Sequence, residues 1–182
     1  MADYAAYSAE LRAEPVSADV ADVIRLATLA ANSHNTQPWL FRIGSDAIEI
    51  LSDFARRTPV VDPEDHHLFV SLGCAATNLS IAAAASGRVG EIDIAPDGAG
   101  VRYQFAQAAP RPEPLLGAIT KRQSTRREYD GRTIGAGDLA TLQAVAELPG
   151  VHLVLITARP QMMRIRDLVI AGNAAQMNDP AF

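Results

Sequence analysis

The sequence predicts an α+β fold in which helices flank a small, mostly antiparallel sheet. Two observations lead to this prediction. Short runs of apolar residues occur in adjacent pairs joined by turn residues, which is typical of hairpins. Longer stretches between these pairs repeat apolar residues at helical spacing. With 182 residues and 48% hydrophobic side chains, the chain is long and apolar enough to bury a sizeable core.

The first 107 residues are expected to hold two helices and two strand pairs. Ser17 is a good N-cap for the first helix, and Gly87 is a typical residue to end the second. The predicted elements are a helix from the Ser17 cap to residue 31, strands 39–43 and 47–51, a polar loop over 53–63, a helix over 64–86, and strands 91–94 and 101–107 around Pro96-Asp97-Gly98.

The remaining residues are mainly helical in pattern. Residues 108–114 contain three prolines and read as a linker. The elements predicted after them are a short helix over 114–119, an amphipathic helix over 138–147, a strand over 151–156 and a helix over 159–177. His152 falls in the predicted strand, where a half-buried position with a satisfied hydrogen bond is expected.

Composition narrows the class of function. A net charge of -5, with no basic face, argues against nucleic acid as a partner and against an anionic membrane surface. No apolar run approaches the roughly 18 residues of a membrane-spanning helix, and the acidic N-terminus lacks a signal-peptide pattern. Cys74 is the single cysteine, which excludes an internal disulfide and suits a reducing compartment. We therefore expect a cytoplasmic protein.

The most informative segment is residues 31–39, where polar and turn-forming residues connect a predicted helix to a predicted strand. Loops in this position carry function more often than the elements that they connect. Asn35 and Gln37 each offer a carbonyl acceptor and an amide donor, enough to bind the polar edge of a planar heterocycle. Pro38 rigidifies the exit, and Trp39 can pack beneath it. A purely structural connection with a buried tryptophan remains the alternative.

A second segment, residues 121–130, combines a serine hydroxyl with several arginines. Arginine forks suit phosphate oxygens because charge-assisted bidentate hydrogen bonds are strong and geometrically specific. The alternative for this segment alone is a solvated basic turn.

Together the two segments resemble motifs of the nitroreductase family: the N-x-Q-P-W loop, which contacts the isoalloxazine ring of FMN, and a basic phosphate-binding motif. The resemblance implies that the flavin ring is contacted by Ser33, His34, Asn35 and Gln37. It also implies that the phosphate is held by Arg122, Gln123, Ser124 and Arg126. Arg126 can also reach the pyrimidine edge of reduced flavin. For His34, contact with flavin or substrate and a solvent-facing position both remain open.

The order of the two motifs is reversed relative to the usual nitroreductase order, in which the arginine motif comes first. Residues 26–43 and residues 139–156 show a weak internal similarity, because both are predicted to form a helix, a turn and a strand in that order. The resemblance therefore implies a duplicated, Acg-like branch of the family, in which two halves of one chain form the site that a homodimer otherwise forms. We expect residues 1–110 to be the first half and 111–182 the start of a second, truncated half, so that the sequence is a fragment or a truncated member.

Three functions follow from the resemblance. An enzyme would use FMN to reduce nitroaromatic or quinone-type acceptors with NAD(P)H, and the cofactor would carry the hydride. A flavin-sequestering protein would hold FMN without turnover. A chain without cofactor would serve a structural role. No residue is assigned as catalytic, because flavin chemistry asks little acid–base work of the protein.

Other constellations support different chemistry less well. Ser33 and His34 are adjacent, so their side chains diverge and a hydrolytic triad is not expected. No metal is expected, since the neighbouring histidines of a possible acidic cluster, formed by Asp62, Asp65, His66 and His67, face different ways on a helix. Residues 131–137 contain no dinucleotide-binding glycine motif. Arg56 and Arg57 are expected in a solvated loop, with attraction of an anionic cofactor as the alternative.

Overall fold

The computed structural model describes residues 3–14, 19–95, 98–146, 148 and 150–182. The chain divides into two compact units, Met1–Ser124 and Thr125–Phe182. These units are defined by packing, whereas the expected halves 1–110 and 111–182 rest on a sequence echo and stay a prediction. The predicted cap Ser17 lies outside the described residues.

The first unit contains a four-stranded sheet in which every neighbouring pair is antiparallel. The strands are β1 (Trp39–Ile43), β2 (Ala47–Ser52), β3 (Arg88–Ile94) and β4 (Gly100–Gln107), arranged in the order β1-β2-β4-β3. Both predicted strand pairs are therefore present, although β3 begins three residues earlier than predicted. Together with the helices, this sheet confirms the predicted α+β class.

In the described part of the first unit, four α-helices accompany the sheet: α1 (Tyr4–Leu11), α2 (Val20–Thr28), α3 (His66–Ala85) and α4 (Leu116–Lys121). The sequence did not predict α1, whose first turn is capped by Asp3. Helix α2 ends at Thr28, before the predicted residue 31, because the backbone N–H groups of Leu29 and Ala30 bond in a tightened turn to Leu26 and Ala27.

Helix α3 forms the centre of this unit, between α2 and the sheet. Its buried residues are mostly small, which lets its neighbours approach closely: Leu68, Ser71, Leu72, Ala75, Ala76, Leu79, Ala82, Ala83 and Ala84. All of them except Ser71 and Ala84 belong to one apolar cluster with Leu26 of α2 and with Ile48, Ile50 and Tyr103 of the sheet. Burial of these apolar side chains is the main force that holds the unit together.

Helix α3 is also long and apolar enough, by length and composition, to cross a membrane. As expected from the sequence, this helix holds no uninterrupted apolar run of that length, because serine, glycine, threonine and asparagine interrupt its apolar residues. Half of its most apolar window is nevertheless buried inside the protein, as in the core helix of a globular unit.

The opposite face of the sheet is polar. Glu49 in β2 accepts hydrogen bonds from Arg42 of β1 at 2.9 Å and from Arg102 of β4 at 3.0 Å. These are neighbouring positions across the strands, so the three side chains form a charge ladder. One face of the sheet is therefore built for the core and the other for water.

The second unit contains α5 (Ala136–Val145) and α6 (Arg159–Met177). Helix α6 has the predicted bounds. Residues 151–156, by contrast, were predicted to be a strand and form no strand. A strand requires a partner for its backbone groups, and within the described part of this unit no second strand is present. His152 is exposed, so the expectation that it would be half-buried was also wrong.

A buried aspartate fixes the N-terminus of α3. Asp62 is 5% exposed, and its Oδ2 accepts the backbone N–H groups of His67 at 2.9 Å and Leu68 at 3.2 Å. Burial works to raise the pKa of Asp62, but these backbone donors and the nearby His67 imidazole outweigh it and hold the pKa below its usual value. The carboxylate therefore satisfies helix donors that have no partner within the helix.

We expect Asp62→Asn to lower the midpoint of urea unfolding at pH 7. The ionised form of Asp62 is favoured in the folded state, so its contribution is present above the unfolded pKa of about 3.9 and is lost as the pH falls through the lower folded pKa. The difference between the variant and the original protein should shrink below about pH 4. Asp93→Asn, at an exposed carboxylate of β3, serves as the control. A difference that stays constant down to pH 2 contradicts this assignment.

Candidate functional site

The loop between α2 and β1 has an unusual backbone. Residues Ser33–Asn35 form a 3₁₀ turn, and His34, Asn35 and Gln37 have φ angles of 50°, 57° and 50°. Non-glycine residues rarely adopt this left-handed conformation; asparagine and histidine tolerate it better than glutamine. Three such residues within the four positions 34–37 store strain, and observed strain of this kind clusters at binding and active sites.

Hydrogen bonds to the loop backbone hold this conformation. The N–H of Gln37 donates to Oδ1 of Asn32 at 2.9 Å, and the N–H of Thr36 donates to the Ser33 carbonyl at 3.0 Å. The N–H of Ser33 donates to Oγ of Ser71 at 3.3 Å, which ties the loop to the buried face of α3.

The exit from the loop is fixed as predicted. Pro38 and Trp39 are both buried, and the Trp39 N–H donates to the Gln37 carbonyl at 2.9 Å. Arg56, expected to be merely solvated, is exposed but donates through Nη1 to the Thr36 carbonyl at 3.2 Å. Arg57 is likewise exposed, as expected, and pairs with Asp65 at 2.9 Å. The bond from Arg56 therefore braces the outer side of the loop.

The side chains of the loop face outward. His34, Asn35 and Gln37 are exposed and Ser33 is half-buried. Among the described residues, no hydrogen bond engages the side-chain amides of Asn35 or Gln37. The loop therefore presents two amide groups on a rigid backbone, which is an arrangement suited to binding a planar polar ligand.

The second segment begins where α4 ends. Arg122 caps α4 in extended conformation, and Arg122, Gln123 and Ser124 are all exposed. The Arg122 side chain donates through Nη2 to the Leu29 carbonyl at 2.9 Å. Leu29 caps the end of α2, just before the loop that carries Asn35. The structure thus joins the start of the second segment to the helix that leads into the first.

Arg126 lies in the second unit and is exposed there. The eight residues predicted from the sequence are therefore divided between the units, with seven in the first unit and Arg126 in the second.

Three helices of the first unit are linked in a closed cycle of arginine side chains, which we call the arginine ring: Arg12, Arg25 and Arg122. Each guanidinium donates to backbone carbonyls at or just beyond the C-terminus of the next helix. The bonds are Arg25 to the carbonyls of Leu11 at 2.7 Å and Ala13 at 3.0 Å, Arg12 to those of Thr120 and Arg122 at 2.9 Å each, and Arg122 to that of Leu29 at 2.9 Å.

The arginine ring satisfies carbonyls that have no partner within their own helices, and it places positive charge at the partially negative helix ends. Arg12 and Arg25 were not identified from the sequence. The bond from Arg12 to Thr120 spans 108 residues, so no local spacing could have shown it.

The acidic and histidine residues considered as metal ligands are occupied otherwise. Asp62 caps α3, Asp65 pairs with Arg57, and Nδ1 of His66 lies 3.5 Å from Glu64. Throughout the described ranges, no group of three or more histidine, cysteine or acidic side chains is placed to hold a metal ion.

Comparison with known proteins gives similarity to two relatives, whereas no family model matches the chain. Both relatives are Mycobacterium tuberculosis proteins, one from strain CDC 1551 / Oshkosh and one from strain ATCC 25618 / H37Rv, and each bears the name "Putative NAD(P)H nitroreductase". Each is 30% identical over 158 residues, which cover 83% of this chain and 46% of the relative. The chain therefore spans about half the length of these relatives.

The uncovered part of this chain is about one sixth of its length. On the basis of this identity and coverage, the chain belongs to the nitroreductase family.

Proposed function

We propose that this chain contributes an FMN site to an oxidoreductase that reduces nitroaromatic or quinone-type acceptors with NAD(P)H. The observation that carries the proposal is the strained loop, which presents the amides of Asn35 and Gln37. The bond from Arg122 to Leu29 places the arginine segment at the helix end from which this loop departs. Family membership supplies the class of chemistry.

The donor set fits FMN. The phosphate needs charged and hydroxyl donors, and the residues that would supply them are Arg122, Gln123, Ser124 and Arg126. The ring needs amide donors and acceptors at its edges, and the residues that would supply them are Ser33, His34, Asn35 and Gln37. Arg122 has five N–H donors, so its bond to Leu29 leaves others for a phosphate.

When bound, the flavin would carry the hydride between NAD(P)H and the acceptor. The protein's part would be to hold the ring and phosphate and to leave one ring face accessible. A homodimer, or a pairing of two halves within a longer chain, would complete the site, and the protein would act in the cytoplasm. These assignments are part of the proposal, as is the division into halves at residue 110.

The proposal predicts that the purified chain, reconstituted with FMN, is reduced by NADPH and reoxidised by a nitroaromatic or a quinone. Stopped-flow absorbance in the flavin bands follows both half-reactions. Flavin that binds tightly but stays oxidised under excess NADPH would contradict the oxidoreductase and favour a sequestering protein. If neither this chain nor a longer chain that supplies the second half binds FMN, the cofactor assignment itself is wrong.

Loss of a phosphate donor should weaken FMN binding. We expect Ser124→Ala to cost about 1 kcal/mol of binding free energy, and Arg122→Ala about 1.5–3 kcal/mol, the scale of a hydrogen bond to a charged group. Fluorescence titration with FMN measures both. Arg132→Ala removes an exposed arginine that pairs with Asp130 and is the charge-matched control. If Ser124→Ala and Arg122→Ala both bind FMN as tightly as Arg132→Ala and the original protein, the phosphate assignment is wrong.

Substitutions at Gln37 in the strained loop can distinguish effects on fold stability from effects on FMN binding. Gln37→Gly should stabilise the fold by about 1 kcal/mol, because glycine adopts a φ of 50° without the cost that other residues incur. The matched variant Gln37→Ala keeps that cost and also lacks the amide. Both should bind FMN more weakly than the original protein, although only the glycine variant is more stable by urea unfolding. FMN affinity that is unchanged in both would exclude Gln37 from the site.

A further inference from the structure

We propose that Arg12, which directly follows α1, is a positioning residue that holds the phosphate-binding segment in place. This inference rests on the proposed function, in which Arg122, Gln123 and Ser124 bind the phosphate of FMN. Arg12 does not belong to either segment that resembles the family motifs. Its role follows from what its side chain contacts.

The contacts of Arg12 are concentrated on one short stretch of backbone. Its Nη1 donates to the carbonyls of Thr120 and Arg122, each at 2.9 Å, so one nitrogen bridges the two residues on either side of Lys121. Within the same stretch, the N–H of Arg122 donates to the Ala118 carbonyl at 2.8 Å. Two kinds of hydrogen bond thus hold this backbone, one within α4 and the others from the Arg12 side chain.

This stretch is where the chain changes from helix to extended conformation. Arg122 has φ -60° and ψ 132°, and the direction of the chain at this residue determines where Gln123 and Ser124 lie. Helix α4 has only six residues, so its own hydrogen bonds define this end weakly. A cation that bonds to the last carbonyls of α4 fixes the position of this helix end.

Helix α1 has no other evident task within the described structure. It contributes no buried residue, and its tyrosines, Tyr4 and Tyr7, are 79% and 60% exposed. Arg25 of α2 holds the end of α1 by its Leu11 and Ala13 carbonyls, which fixes the position from which Arg12 reaches α4. The α1 segment therefore acts as a support for the arginine that clamps the phosphate-binding backbone.

The test compares Arg12→Met, which removes the donors but keeps an unbranched side chain, with Arg12→Lys. Both bonds of Arg12 come from one nitrogen, so a lysine ammonium, with three donors, can restore part of the clamp. Arg42→Ala removes an arginine from the exposed charge ladder of the sheet and is the control for lost charge. The ligands are FMN and riboflavin, which differ only in the phosphate.

Arg12→Met should weaken FMN binding about tenfold, within the range for a charged hydrogen bond. Riboflavin binding should change little, Arg12→Lys should recover part of the loss, and Arg42→Ala should match the original protein. Equal weakening for FMN and riboflavin, or no weakening for FMN, would overturn the positioning role, because the clamp acts only on the phosphate segment.

Amide hydrogen exchange tests the positioning role of Arg12 in the absence of any cofactor. In the chain without flavin, Arg12→Met should accelerate exchange of the Arg122 amide, while the amides of α3 stay protected. If the original protein binds no FMN, the proposed function fails, and this exchange measurement still decides whether Arg12 clamps the segment. Unchanged exchange at Arg122 would overturn the clamp whatever the flavin result.

Discussion

Backbone carbonyls at the ends of helices need hydrogen-bond donors, and in this protein arginine side chains supply them. The ends of α1, α2 and α4 are each held by a guanidinium from another helix of the same set. The two candidate segments leave from two of these three ends. The positions of the 31–39 loop and of the segment that begins at Arg122 therefore both depend on a few charge-assisted hydrogen bonds, which are stronger and more directional than neutral ones.

The core provides the rigid support for this arrangement. Helix α3 lies against the sheet and α2 through small buried side chains, and Asp62 fixes its first turn. Ser71, on the buried face of α3, accepts the Ser33 N–H and so connects the core directly to the strained loop. A loop with three left-handed residues needs such support, because each of them is unfavourable on its own.

Short sequence patterns correctly predicted the hairpin and the central helix, because the residues within each of these elements determine its conformation. The alternation around Gly44 and the small-residue run of α3 identified the hairpin and the central helix. The same reasoning failed for residues 151–156, whose apolar residues resemble a strand but have no strand to pair with in their unit. The candidate side chains were found from short motifs, whereas Arg12 and Arg25 were missed because their bonds join residues far apart or on different helices. Long-range side-chain contacts leave no periodic trace in a sequence.

The proposed function requires that this chain recognises the phosphate of a flavin mononucleotide. The most direct test is the ratio of the dissociation constants for riboflavin and FMN in the unmodified protein, measured by fluorescence titration at fixed ionic strength. Charged hydrogen bonds to the phosphate predict FMN binding at least about tenfold tighter than riboflavin. Equal affinities, or no binding of either ligand, would contradict the claim.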